Sequence, residues 1–248
     1  MIYIKNDEEI KKMRESCQIA YQTVVMLGKY IKPGIKTKVL DRLAYEFIVS
    51  KNAKPAFKGY KGYPATICIS INEQVVHGIP GDRILKEGDI VSVDIGTLKN
   101  GYYGDVAYTY AVGDIDDEKK RLLEVTEKAL YKGIEKAVPG NYLSDIGHAI
   151  QSHVEANGFS VVRTLVGHGI GRNLHESPEV PNYGEPGRGP ELRTGMTLAI
   201  EPMVNTGTFE VYTLEDGWTV VTLDGKPSAH FEHTIVITDN GPEILTRD

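Results

Sequence analysis

The sequence predicts an α+β fold with antiparallel strand pairing, and three observations carry that prediction. Helical and strand signals arrive in blocks, helices first and strands after, without the strict alternation of a doubly wound sheet. The block pattern occurs twice, so the chain reads as a single domain over 1–248 with internal halves about 7–112 and 117–240. An Asn100-Gly101 pair between two apolar runs marks a hairpin.

The elements follow in order. Residues 7–30 place Ile10, Met13, Cys17, Ala20, Tyr21 and Val24 at helical spacing, with Asp7 as the expected N-cap and Pro33-Gly34 as the stop. Residues 37–51 repeat the pattern through Val39, Leu40, Leu43, Phe47 and Ile48, with Thr37 as the expected cap. Matching helices fall near 117–137 and 143–157. Strands are expected at about 66–71, 89–96, 102–112, 197–204, 209–214, 218–223 and 231–238. The stretch Pro178 to Pro190 holds four Pro and three Gly and reads as a loop inside the fold.

The repeat is specific. Leu85-Lys86-Glu87-Gly88, an apolar strand and Asp94 are answered by Leu192-Arg193-Thr194-Gly195, an apolar strand and Glu201. Pro33-Gly34 is answered by Pro139-Gly140. The Pro-Gly pairs lie 106 residues apart and the Gly-strand-carboxylate segments 107, so one offset serves both.

Composition narrows the function classes. Hydrophobic residues are 41% and charged residues 25% of 248, which is globular and excludes a disordered chain. Net charge is −6, and the basic runs at Lys11-Lys12 and Lys119-Lys120-Arg121 sit beside acids, so no direct DNA binding is expected. Cys17 and Cys68 are too few for a disulfide framework. No signal peptide and no apolar run of membrane length is present, so the expected setting is cytoplasmic, with no membrane partner.

The candidate chemistry lies in the strands. Asp94 closes an apolar strand and Asp105 lies in the next one. For any even hairpin loop the two fall on the same sheet face, opposite or diagonal. Like charges in that arrangement destabilise a sheet unless a cation sits between them. Glu201 holds the equivalent of Asp94 in the second half, and Glu232 sits among apolar neighbours in Phe231 to Ile237. If these four carboxylates converge, two divalent cations balance them. Hard oxygen ligands with one imidazole suit Mn, Co, Fe or Zn, not a thiolate site. His168 is available between Gly167, Gly169 and Gly171, and His175 and His77 are further candidates. His148 and His153 have no carboxylate context and are assigned to surface or packing.

Asp94, Asp105, His168, Glu201 and Glu232, in that order, resemble the ligand set of the type I methionine aminopeptidases. The likeness extends over essentially the whole chain. It includes Gly59-Tyr60-Lys61-Gly62-Tyr63-Pro64, the segment Ser70 to Pro80, Val93-Asp94-Ile95-Gly96, Gly104-Asp105, Gly167-His168-Gly169-Ile170-Gly171, Ala199-Ile200-Glu201-Pro202 and Phe231-Glu232-His233-Thr234. The resemblance implies the pseudo-twofold "pita-bread" (creatinase/aminopeptidase) fold, an antiparallel sheet with helices packed outside, forming one catalytic domain. It implies that Asp94 binds one metal with both oxygens, that Asp105 and Glu232 bridge two, and that His168 and Glu201 complete the second. It further implies that His77 and His175 face the substrate, that Glu201 acts as general base, and that Phe57, Tyr60, Tyr63, Cys68, Leu174 and Trp218 line a methionine pocket. Phe57, Lys61 and Leu174 depart from the commonest bacterial residues at their positions. The turn around Asn72 and Ser228 resembles a monovalent-cation site of family members. With its first helix near residue 7, the chain resembles the short bacterial form.

The implied activity is removal of the N-terminal methionine from nascent polypeptides, favouring a small second residue, by a monomer with transient ribosome contact. Two other readings stay open on the residues alone. One is an X-Pro dipeptidase or aminopeptidase of the same fold. The other is a non-catalytic binder of ribosomes or nascent chains, against which stand five filled ligand positions.

Overall fold

A computed structural model describes residues 1–247. Four helices, α1 (Asp7–Gly28), α2 (Thr37–Ser50), α3 (Asp117–Ile134) and α4 (Leu143–Ala156), pack on a nine-stranded sheet. Its strands are β1 (Lys54–Pro55), β2 (Cys68–Ile71), β3 (Ile90–Lys99), β4 (Tyr102–Ala111), β5 (Gly167–Gly169), β6 (Glu176–Val180), β7 (Thr197–Ile200), β8 (Glu232–Thr238) and β9 (Gly241–Ile244). The order is β1-β3-β4-β8-β7-β5-β6, with β2 also paired to β3 and β9 to β8, and every pairing is antiparallel. Among the described residues no helix is long and apolar enough to cross a membrane.

The repeat reappears as hydrogen bonds. Gly34 N donates to Leu85 O at 2.8 Å, and Gly140 N donates to Leu192 O at 3.0 Å. Gly88 N donates to Val112 O at 3.0 Å, and Gly195 N to Ile237 O at 2.8 Å. Gly88 and Gly195 have φ of +85° and +87°, a left-handed turn that favours glycine in both halves. The halves meet where β4 pairs with β8, through Glu232 opposite Ala107 and His233 opposite Val106. That seam is the middle of the sheet, and two of the acidic residues already stand on it.

Helix α1 covers β3 and β4 through a buried stripe of Met13, Cys17, Ala20, Val24 and Leu27. It comes close because a Cβ on Gly104 would run into the Cys17 backbone. Helices α3 and α4 cover the second half through Leu122, Ala129, Ile146 and Ile150, which share a core with Leu198, Ile200 and Ile235.

Several local expectations shift. The N-cap of α1 is Asn6, not Asp7: Asn6 Oδ1 accepts from Glu9 N at 3.0 Å, and Glu9 Oε2 accepts from Asn6 N at 3.1 Å. This reciprocal pair needs a carboxylate three residues after the cap, and only Asn6 has one at that spacing. Thr37 does not cap α2 either. Lys36 holds that position, and the Thr37 hydroxyl is spent across the chain, accepting from Gly81 N at 2.8 Å. The strand expected over 197–204 breaks at Glu201-Pro202 into β7 and Met203–Asn205, because proline cannot donate to the ladder. The Pro-rich stretch from Pro178 is only partly a loop, since Glu176–Val180 pairs with β5. His148 is exposed, and half-buried His153 lies on α4.

Candidate active site

The Asn100-Gly101 turn fixes the register of β3 on β4, with Lys99 opposite Tyr102. Asp94 then faces Ala107, and Asp105 faces Gly96. The two aspartates are therefore diagonal neighbours on one face, as the spacing predicts. Asp105 is pinned by Thr234 on β8, whose Oγ1 accepts from Asp105 N at 3.1 Å and donates to Asp105 O at 2.8 Å. That clamp brings Glu232, two residues before Thr234, beside Asp105.

His168 arrives from β5, paired with Ala199 on β7. A Cβ on Gly167 would collide with Ala199 O, and one on Gly169 with Ser177 O, so both glycines serve close backbone approach. His168 Nδ1 meets Gly169 O at 2.8 Å. A carbonyl only accepts, so Nδ1 carries the proton and Nε2 presents its lone pair. That nitrogen lies 4.0 Å from Asp105 Oδ2 and 3.6 Å from Glu201 Oε1. One ligand atom each from Asp105, His168 and Glu232 lie within 4.8 Å of one another. Glu201 follows β7 directly, and Asn182 Nδ2 holds its carbonyl at 3.0 Å.

These residues bring four carboxylates together, and among the described residues no Lys or Arg forms an ion pair with any of them. Asp94 Oδ1, Asp105 Oδ1 and Glu232 Oε1 are buried and have no hydrogen-bond partner among the described residues. Burial, then the charges of their neighbours, push Asp94, Glu201 and Glu232 well above the ordinary carboxylate range, and burial also raises Asp105. Orphaned oxygens with one imidazole lone pair fit divalent cations by charge and by donor type.

A cavity of about 180 Å³ opens beside them. The first half supplies Phe57, Tyr60, Tyr63, Cys68 and His77 to its wall, and the second half supplies Leu174, His175 and Trp218. Tyr60 Oη lies 2.8 Å from His175 Nδ1 with the two rings stacked. Tyr63 donates to Gly78 O at 2.9 Å and packs edge-on against Trp218. His77 has φ of +59°, a left-handed conformation that side chains rarely adopt and that concentrates at functional sites. Burial lowers the pKa of His77 and, with the neighbouring His168, takes His175 down to about 3, so both rings are neutral near pH 7.

The turn at Asn72 and Ser228 stands apart from this cluster. Asn72 Nδ2 donates to Asp89 Oδ1, its Oδ1 accepts from Ile90 N, and Ser228 donates to Val204 O. Reading the sequence missed three contributors: Thr234, the 2.6 Å ion pair of Lys5 with Glu176, the residue after His175, and His230. His230 carried a signal, since it precedes Glu232 by two residues, the spacing of one strand face.

The sequence profile of metallopeptidase family M24 matches residues 11–239. The chain belongs to metallopeptidase family M24. Within M24 it is 58% identical over 247 residues to methionine aminopeptidase 1 of Bacillus subtilis, with 100% of both chains covered. The solved methionine aminopeptidase of Thermotoga maritima superposes with a TM-score of 0.99 at 51% identity, again over 100% of both chains. Prolidase from Pyrococcus furiosus gives a TM-score of 0.81 at 25% identity over 99% of this chain and 65% of its own. The M24 likeness covers both halves and agrees with the pseudo-twofold pita-bread fold.

An M24 site of this kind sets the pH dependence of the metal-free protein. Folded carboxylates with raised pKa keep protons that the unfolded chain has released, so stability falls as pH rises through the folded values. The buried His168 and His230 have lowered pKa and act oppositely, but their contribution is complete above the unfolded value of about 6.5. Asp105 is pushed up to about 7, and burial with neighbouring charge also holds Asp94, Glu201 and Glu232 well above the ordinary carboxylate range. Chelator-treated protein should therefore lose roughly 5 °C or more of Tm between about pH 6.5 and pH 8, and metal should abolish the loss. A flat profile without metal would show that the four acids do not share one site.

Proposed function

We propose that this chain removes the N-terminal methionine from nascent polypeptides, favouring a small second residue, as one catalytic domain over 1–248 with halves about 7–112 and 117–240. One observation carries the proposal: ligand atoms of Asp105, Glu232 and His168 lie within 4.8 Å of one another at the edge of a cavity that Asp94 and Glu201 also line, and Asp94, Asp105 and Glu232 each keep a buried oxygen without a partner among the described residues. Asp94 would hold one divalent ion, Asp105 and Glu232 would be shared by two, and His168 with Glu201 would hold the second. Mn, Co, Fe and Zn all suit these donors. When bound, such ions polarise a carbonyl and bring the pKa of a water from about 15.7 towards 7.

The chain's own groups divide the rest of the work. Phe57, Tyr60, Tyr63, Cys68, Leu174 and Trp218 form a slot of aromatic and sulfur surface that suits a flexible thioether. Glu201 takes a proton from the attacking water and returns it to the leaving nitrogen. Tyr60 donates to His175 Nδ1, which leaves the imidazole proton on Nε2 to meet the substrate carbonyl oxygen as charge develops there. His77, neutral and held in a fixed backbone conformation, supplies a second donor. The same reading includes a cytoplasmic monomer with transient ribosome contact. It also includes a monovalent cation beside Asn72 and Ser228, for which main-chain carbonyls would have to serve, since the side chains are committed elsewhere.

Metal-stripped protein resupplied with each metal in turn tests the reading on Met-Ala-Ser and Ala-Pro peptides. Release of free methionine from the first, with the second untouched, is expected. Cleavage of Ala-Pro alone would favour the X-Pro peptidases, and metal uptake without hydrolysis of either would favour a binder.

A further inference from the structure

A fourth imidazole borders this site and has no part in the chemistry above. His230 ends the short strand Ser228–His230, is 1% exposed, and its Nε2 has no hydrogen-bond partner among the described residues. Its backbone is fixed on both sides: its N–H donates to Thr109 Oγ1 at 3.0 Å, and its carbonyl accepts from the same hydroxyl at 2.7 Å. The main chain at this residue is therefore held in place by the fold.

That ring points at Glu201. His230 Nε2 lies 3.6 Å from Glu201 Oε2, while His168 Nε2 lies 3.6 Å from Glu201 Oε1. The carboxylate is bracketed by two imidazoles that differ in kind. His168 has spent its proton on Gly169 O and faces Glu201 with a lone pair. His230 has no such commitment at Nε2. A buried nitrogen left unpaired is costly, and a carboxylate oxygen is the strongest acceptor within its reach. The gap is a few tenths of an ångström beyond hydrogen-bond length, within a small rotation of either side chain.

We propose that His230 is a positioning residue whose Nε2–H donates to Glu201 Oε2 and turns Oε1 alone toward the metal site. The inference rests on the reading of Glu201 as a ligand and base, and it gives that residue one oxygen for each neighbour. Without the donor, both oxygens of Glu201 are free to swing, and the carboxylate loses its fixed approach to the site. An apolar side chain would fill the same volume without an unpaired nitrogen, so packing alone does not account for an imidazole here.

Two variants of one shape isolate the donor. His230→Gln keeps an N–H near the position of Nε2, and His230→Met has the same length without it. Each is stripped of metal, and Mn affinity is measured by titration calorimetry, the visible absorption of the Co-loaded protein is recorded, and kcat and KM are measured on Met-Ala-Ser. The Met variant should bind Mn about 10–100-fold more weakly, show a changed Co spectrum, and lose kcat with little change in KM; the Gln variant should restore each to within about threefold. His230→Asn, polar but too short to reach, should behave like Met and replaces it should the Met variant fail to fold. Equal Mn affinity in the Gln and Met variants, or in Asn and wild type, would overturn the proposal. Glu201→Gln is titrated alongside: undiminished Mn binding there would overturn the role of Glu201 itself, a failure distinct from that of His230.

Discussion

Glu232→Ala should abolish metal uptake and peptide hydrolysis together. Glu232 is 2% exposed, stands at the seam of the two halves, and offers an oxygen that nothing else in the described chain satisfies. If it is shared by two ions, its loss weakens both at once. The activity lost is then the full contribution of the cations, several kcal/mol, which is on the order of 10³-fold or more. Stability should move the opposite way. Metal-free Glu232→Ala relieves like-charge crowding around Asp94, Asp105 and Glu201 and should melt higher than metal-free wild type near pH 8. Elemental analysis, hydrolysis of Met-Ala-Ser and thermal unfolding check the three parts. A metal-loaded, active Glu232→Ala protein would contradict the site.

His175→Ala should lower kcat by about 10²–10³-fold while KM changes little, because a donor aimed at developing charge acts in the transition state and hardly in the ground state. The geometry supports that division. Tyr60 and the stacked rings hold His175 at 2.8 Å and 5.2 Å between centroids, and the Lys5–Glu176 pair fixes the next residue. A ring held so firmly is preorganised, which is the condition for a large effect. Tyr60→Phe should cost much less, since stacking survives and only the hydrogen bond to Nδ1 goes. Steady-state kinetics with metal-saturated protein decide the matter. A raised KM with unchanged kcat would assign His175 to substrate binding.

Much of this site could be read from residue order because short-range rules fix it. An Asn-Gly turn sets hairpin register, and register places Asp94 and Asp105 on one face without any knowledge of the rest of the fold. The repeat offset carries the same logic into the second half and marks Glu201. Glu176–Val180 was hidden because its pairing with Gly167–Gly169, not its own composition, makes it a strand; Pro178 and its polar neighbours read as turn. The break at Glu201-Pro202 had a visible cause in the proline, yet the apolar run on either side dominated the pattern. Asn6 lost to Asp7 by one residue, the usual error where a cap is chosen by residue type without its reciprocal partner. Thr234 had no voice in sequence because it acts through a tertiary contact, and His230, though spaced for one face with Glu232, meets Glu201 only through the fold.

The two halves match in their turn bonds but not in the side chains they bring to the centre. The first half carries Asp94 where the second carries Glu201, and the second alone supplies the imidazole of His168. A peptide needs that inequality: its amino end and its first amide want different company, and a perfectly twofold centre would treat them alike.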